Sequence, residues 1–110
     1  MIEQILQDYL RQNAFRCYTS MPEESSGNFC ILEKTGSGHD DGLFRATIAV
    51  QSYGSSDFAA AQLNHHVVRA MLDADTLPEV VSCELNTDYN FPDTTLTRPR
   101  YQAVFEVVHY

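Results

Sequence analysis

Lysine is almost missing from this chain. Lys34 is the only one, and seven basic residues face fifteen acidic ones, for a formal net charge of −8. A protein that grips nucleic acid draws its affinity from lysine and arginine neutralising phosphates, and no basic cluster is present to do this. Duplex DNA is expected to pass such a surface without adhering, because like charges repel. Cysteine is scarce as well. Cys17, Cys30 and Cys83 form an odd set with no CxxC spacing, which predicts reduced thiols in a cytosolic protein. Cys30 and Cys83 fall inside apparent strands, where a free cysteine behaves as a small hydrophobe. No apolar run approaches the roughly 20 residues of a spanning helix. The first ten residues, MIEQILQDYL, carry acids and no basic stretch, so no signal peptide is expected there.

What the chain does contain is enough apolar matter to fold. Its 110 residues are 44% hydrophobic and 11% aromatic, which predicts one ordered domain over residues 1–110. Ile2, Ile5, Leu6, Tyr9 and Leu10 recur at helical spacing, so residues 2–13 read as an amphipathic helix ended by Asn13. AFRCYTS, 14–20, alternates weakly and suits a short strand. MPEESSGN, 21–28, has loop composition. FCILEKT, 29–35, and LFRATIAVQSY, 43–53, read as strands, with GSGHDDG, 36–42, as the flexible turn of a hairpin between them. In the second strand Phe44, Ala46, Ile48 and Val50 point one way and Arg45, Thr47 and Gln51 the other. Residues 54–75 form the main helix, with Ser55 or Ser56 as its cap and Asp57 at its positive end. Ala60, Leu63, Val67, Ala70, Met71 and Ala74 share its apolar face, and Pro78 breaks it. VVSCELN, 80–86, and RYQAVFEVVHY, 100–110, alternate as strands. The order α-β-β-β-α-β-β predicts an α+β fold: a mostly antiparallel sheet of four to five strands with two helices on one face. No internal repeat or low-complexity tract is present.

Several residue pairs imitate chemistry. His65 and His66 are adjacent, and neighbours on a helix diverge by about 100°, so they cannot both ligate one ion; a zinc pair on a helix needs i, i+4 spacing. Asp73 and Asp75 sit at a helix C-terminus with no calcium loop after them, and read as solvated surface acids. The GxG of residues 36–38 lies between strands, whereas a phosphate cradle leads into a helix N-terminus. His39, Asp40 and Asp41 could be drawn as an acid–base set, but a glycine-flanked tip lacks the preorganisation that catalysis needs. No serine lies in GxSxG, and Cys17 has no nucleophile context. No catalytic residue, metal site or cofactor is therefore expected.

DYNFPDTTLTRPRYQ, 88–102, is the least ordinary segment. Twelve residues, Asp88 to Pro99, separate two strong strands, where hairpin loops usually take about 2 to 5. Thr94 to Thr97 have β-branched character, so the strands can extend as a projecting arm. Tyr89 and Phe91 stand at alternate positions and share a face. Two readings stay open for them: they cover an open end of the core, or they form a subunit interface, where aromatics are enriched.

IAVQSYGSSDFAAAQLNHHVVRAM and LNTDYNFPDTTLTRPRYQAVFEVVHY resemble the tail terminator, or head–tail joining, proteins of long-tailed bacteriophages and prophages. The resemblance runs nearly the whole chain in order: the N-terminal helix, a strand ending in EKTGSG, a strand ending in QSY, a helix with AAxLN and a late AM, then NTDYNFPDTT and RYQAVFEVVHY. It implies a structural virion protein without enzyme activity or cofactor. Its copies would close into a ring, typically a hexamer, that caps the tail tube, ends tail elongation and presents a surface to the head-completion or connector protein. The implied partners are the chain itself, the tail tube protein and the connector, with no sequence-specific nucleic acid and no membrane. The implied location is the host bacterial cytoplasm during assembly, then the tail or neck of the virion. The resemblance carries over no residue roles. The segments that suit ring contacts are the tip 36–42 and the long loop, so the interface residues expected are His39, Asp40, Asp41, Tyr89, Phe91, Asp93, Leu96 and Arg98. The alternatives are another small neck, head-completion or minor capsid protein, or a small-ligand-binding α+β domain using the sheet face opposite the helices.

Overall fold

The computed structural model describes residues 1–110. It contains helix α1 (Ile2–Gln12), strands β1 (Cys17–Tyr18), β2 (Phe29–Asp40) and β3 (Leu43–Tyr53), helix α2 (Asp57–Leu72), a 3-10 turn Ala74–Thr76, and strands β4 (Val80–Asn90) and β5 (Arg100–His109). One five-stranded sheet runs in the order β1-β2-β3-β5-β4. Only the β1–β2 pair is parallel; β2–β3, β3–β5 and β4–β5 are antiparallel. The fold is α+β, and both helices pack on one face of the sheet.

Burial explains that arrangement. Ile2, Leu6 and Leu10 form the buried stripe of α1, and Val67 and Met71 lie on that of α2. They meet the side of the sheet carrying Cys30 and Leu32, Ala46, Ile48 and Val50, and Ala103, Phe105 and Val107 in a single core cluster. The strand residues in it recur at every second position, the pleat period. Each large side chain fully buried there contributes about 1.5–3 kcal/mol. A second, smaller cluster of Phe29, Ile31 and Tyr53, with Tyr18 against it, covers part of the helix-free face.

The capping Ser56 accepts a hydrogen bond at its Oγ from the Ala59 amide at 3.0 Å. Helix α2 is shorter than the 54–75 span because Gly54 and Ser55 are used in the turn from β3. A Cβ on Gly54 would lie 2.3 Å from the Ala60 nitrogen, so the absence of a side chain lets the chain fold this closely onto the helix. At the far end α2 stops at Leu72 and tightens into the 3-10 turn well before Pro78.

Both hairpins are more ordered than their composition suggests. Strand β2 continues through Gly36 and Gly38 to Asp40, and the turn is only Asp41 and Gly42, both at positive φ (50° and 81°). That is the two-residue geometry that matches the twist of paired strands. The predicted flexible tip 36–42 is thus mainly strand. Likewise β4 reaches Asn90, and Asp93 and Arg98 pair beyond it through two backbone hydrogen bonds of 2.9 and 3.0 Å. The twelve-residue loop reduces to a second hairpin with a four-residue turn, Thr94 to Thr97. The strand expected over 14–20 is only two residues long, Cys17 and Tyr18. The outermost strand, β4, has register shifts between Val80 and Ser82 and between Leu85 and Thr87.

Candidate functional site

The sheet has two ends, and the expected interface residues divide between them. His39, Asp40 and Asp41 lie at the Asp41–Gly42 turn, at one end of β3; Tyr89, Phe91, Asp93, Leu96 and Arg98 lie at the other. Eleven residues of β3 separate the ends, about 33 Å at the usual rise per strand residue. The two groups therefore make two separate surfaces.

At the Tyr53 end, sequence position gave no hint of what forms. Phe29, Tyr53 and Arg100 occupy one row across β2, β3 and β5. The rings of Phe29 and Tyr53 stack at 4.8 Å, and Tyr18 meets Phe29 edge-on at 6.0 Å. Guanidinium groups fill the intervals: Arg16 over Tyr18 and Phe29, Arg98 over Phe29 and Tyr53, Arg100 over Tyr53 and, at 4.4 Å, over Phe91. Each such contact is worth about 0.5–1 kcal/mol at an exposed site. The arginines also satisfy main-chain carbonyls. Arg16 donates to the Ser26 and Glu24 oxygens. Arg98 donates to the carbonyls of Ser25, Gly27 and Gly54. Arg100 Nε donates to the Phe91 carbonyl at 2.7 Å. Loop 21–28 is tied down by these bonds.

Asp93 closes the network. Its Oδ1 accepts from the Thr95 and Leu96 amides, both at 3.0 Å, shaping the turn. Its Oδ2 accepts from the Tyr53 hydroxyl at 2.8 Å and faces Arg100 Nη1 at 3.4 Å. The Leu96 amide above all, with the Tyr53 hydroxyl, Arg100 and the Thr95 amide, holds the Asp93 carboxyl below its ordinary value against an opposing effect of burial. Burial first, and the bond to Asp93 second, push the Tyr53 phenol up, with Arg100 acting the other way. Asp93 and Arg98 are thus directed into the molecule as clamps. Tyr89 and Phe91 meet edge-on at 5.7 Å on the helix-free face and remain 40% and 39% exposed, and Leu96 44%. The two rings pack against each other on the sheet and still present surface to solvent.

At the opposite end, a groove of about 380 Å³ is lined by Lys34, Ser37, Gly38, His39, Phe44, Arg45 and His109. Neither Asp40 nor Asp41 lines it. His39, Phe44 and His109 are partners in register on β2, β3 and β5, with ring separations of 4.7 and 5.6 Å. Phe44 continues the inward-pointing row of Ala46 and Ile48 but lies beyond the helices, and is 48% exposed. Only His39 of this set was expected at an interface. The alternation of β3 had placed Phe44 on the same side as Ala46, Ile48 and Val50.

The remaining candidates do not converge. His65 and His66 are exposed on α2 with rings 5.9 Å apart and tilted, and Asp73 and Asp75 are exposed. No three His, Cys, Asp or Glu side chains are grouped closely enough to hold a metal ion. The three cysteines are free and buried. Burial, with Asp75 and Glu84 nearby, pushes the Cys83 thiol up to about 12, so it is a poor nucleophile. The neighbouring Cys17 thiol, together with burial, raises the Cys30 thiol well above its usual value.

The charge inventory is lopsided. Asp93 is the only acid with an ion-pair partner, while Arg16, Arg98 and Arg100 are engaged in the aromatic row and Arg11 Nε donates to the Cys17 carbonyl. Lys34, Arg45 and Arg69 join neither network. No helix is long and apolar enough to cross a membrane. A scan against protein-family models gives no match for this chain, and a search of curated proteins gives none either.

Proposed function

We propose that this chain is the subunit of a ring that caps a phage or prophage tail tube, ends its growth and offers the head-joining surface, with DNA passing through the ring unread. The reading starts from the resemblance of its segments to tail terminator proteins. The observation that supports it best is the fate of the bases. Four of the seven are committed to contacts inside the subunit, while fourteen acids have no ion-pair partner. A channel wall built from such subunits repels phosphate and gives duplex nothing to hold. A closed ring also needs two different patches on each copy, and this subunit, 43 Å along its longest axis, exposes large hydrophobic side chains at both ends of its sheet. Within this reading the partners are further copies of the chain, the tail tube protein and the connector.

Electron microscopy of the purified protein, alone and with its candidate tube partner, tests the reading. Rings, or tubes capped at one end, are the expected result. Tyr89→Ser combined with Phe91→Ser should weaken assembly while circular dichroism stays that of a folded monomer. Leu96→Ser, in a turn whose amide rather than side chain binds Asp93, serves as the milder variant should the pair unfold. Normal assembly by all of these removes the Tyr89 end from the interface.

A second reading has one observation in its favour. The groove at the Phe44 end is lined by Lys34 and two imidazoles, groups that can donate hydrogen bonds to a small anion. Calorimetric titration with inorganic phosphate separates this ligand-binding module from the ring subunit.

A further inference from the structure

The shortest strand of the sheet brings two cysteines together. Strand β1 pairs with β2 alone, in the only parallel register of the fold, with Cys17 against Cys30 and Tyr18 against Ile31. Partners in register send their side chains to the same face of a sheet. Here that is the face under the helices, where Cys17 and Cys30 are both buried in the one large core cluster. Adjacent strands lie about 4.8 Å apart, within the roughly 4.4–6.8 Å between Cα atoms that a disulfide spans. Both thiols are free. Cys83 is no rival partner. It faces Val107, which faces Ala46, six residues along β3 from the Ser52 that faces Cys30. Three strand spacings and six residues amount to roughly 24 Å.

Access to these thiols comes through β1 itself. The Cys30 amide donates to the Arg16 carbonyl at 2.9 Å. Beyond the pairing with β2, the Cys17 carbonyl accepts from Gln7 Nε2 at 3.1 Å and from Arg11 Nε at 2.9 Å. A two-residue edge segment opens at far lower cost than the whole fold, and each opening uncovers both sulfurs. Cys17 is the better attacking group. The Cys30 thiol, hydrogen-bonded to it, holds it below the ordinary thiol value, with Arg11 acting the same way and burial opposing them. The Cys30 thiol is raised instead. At neutral pH the sulfur with the larger thiolate fraction leads an exchange.

We propose that Cys17 and Cys30 form a reversible disulfide, a redox latch that fastens β1 and the loop after it to the sheet. The oxidant is a small disulfide such as oxidised glutathione. The Cys17 thiolate attacks one of its sulfurs, the S–S bond breaks and one glutathione thiolate leaves. The Cys30 thiolate then attacks the Cys17 sulfur of the mixed disulfide and displaces the second glutathione. Two protein S–H groups are oxidised, one small disulfide is reduced, and the two protons end on the released thiols. The new bond closes a loop over the twelve residues 18–29. These include Tyr18, which lies under Arg11 and Arg16, and the Glu24 and Ser26 carbonyls that Arg16 holds. Closing the loop removes freedom from the unfolded chain and ends the local opening of β1. The latch does not depend on the ring.

The purified full chain, equilibrated in glutathione buffers from fully reduced to fully oxidised, tests the latch. The expected product is a single chain lighter by two hydrogens, in which peptide mapping finds Cys17 joined to Cys30 and Cys83 still a thiol. Its thermal midpoint should rise by roughly 5–10 °C, the scale of one short closed loop, and fall back when dithiothreitol is added. Amide exchange in β1 should slow in the oxidised form. Cys83→Ser should behave as the wild type, and Cys17→Ser should form no bond within the chain. Should either variant fail to fold, the wild-type map decides alone. Three thiols that all stay reduced in the most oxidising buffer, a bond that involves Cys83, or an oxidised form that melts below the reduced one overturns the latch. So does a Cys17–Cys30 bond found only after refolding in the oxidising buffer, because β1 then does not open in the folded chain.

Discussion

Gly54 shows how much one residue decides. The chain leaves β3 and enters α2 within three residues, and the Ala60 nitrogen lies only 2.3 Å from where a Cβ on Gly54 would be. Because the obstacle is backbone, no rotamer change relieves it. Gly54→Ala should therefore cost several kcal/mol, in the range of an overpacked core, seen as a lower urea midpoint with an unchanged slope. Asp93 makes a different prediction, one that depends on pH. Its folded carboxyl is held low by the Leu96 amide first and by Tyr53, Arg100 and the Thr95 amide. A depressed acid contributes stability that is present above its unfolded value, about 3.9, and is lost as pH falls through the lower folded value. Asp93→Asn should accordingly be less stable than the wild type at neutral pH, with the gap closing as urea melts are repeated toward and below pH 4. A gap that stays constant across that range would show that the carboxylate charge plays no part.

At the scale of elements, α2 depends on its first turn. Ser56 Oγ holds the Ala59 amide, and Ser56→Ala should cost about 1 kcal/mol, read as a drop in thermal midpoint without loss of helix content in the folded baseline. The sequence displayed such local devices openly. The apolar stripes of both helices, the alternation of β3 and β5 and the capping serine are short-range patterns, so the element order and the helix-covered face could be read directly. Strand ends could not. Gly36, Gly38 and the turn-forming residues after Asp88 suggest flexible connections, but cross-strand pairing outweighs local propensity and carries β2 to Asp40 and β4 to Asn90. The site was legible only in part, for the same reason. His39, Tyr89, Phe91 and Leu96 were visible as residues out of place in turns. The row of Tyr18, Phe29, Tyr53 and their arginines joins positions dozens of residues apart, and no local spacing marks it. Phe44 followed the pattern of its strand correctly, and the pattern could not tell that the helices end before reaching it.

For the whole molecule, charge is the governing quantity. With −8 overall and four bases engaged internally, the protein should not bind duplex DNA even at low ionic strength, where counterion release favours binding most. An electrophoretic shift assay on a duplex of arbitrary sequence should show free DNA at every protein concentration, and a salt-sensitive shift would contradict the picture of a non-gripping wall. The same repulsion sets neighbouring copies against one another, so any association between them has to come from the few places where bases and apolar rings are still available.

The twice-interrupted outer strand carries a consequence of its own. An uninterrupted eleven-residue rim would be a template on which identical chains could stack without limit, the route to fibrils. With the ladder broken after Val80 and again after Leu85, that growth has no continuous rail to follow. Even a concentrated solution of the protein should therefore resist strand-by-strand stacking along this edge.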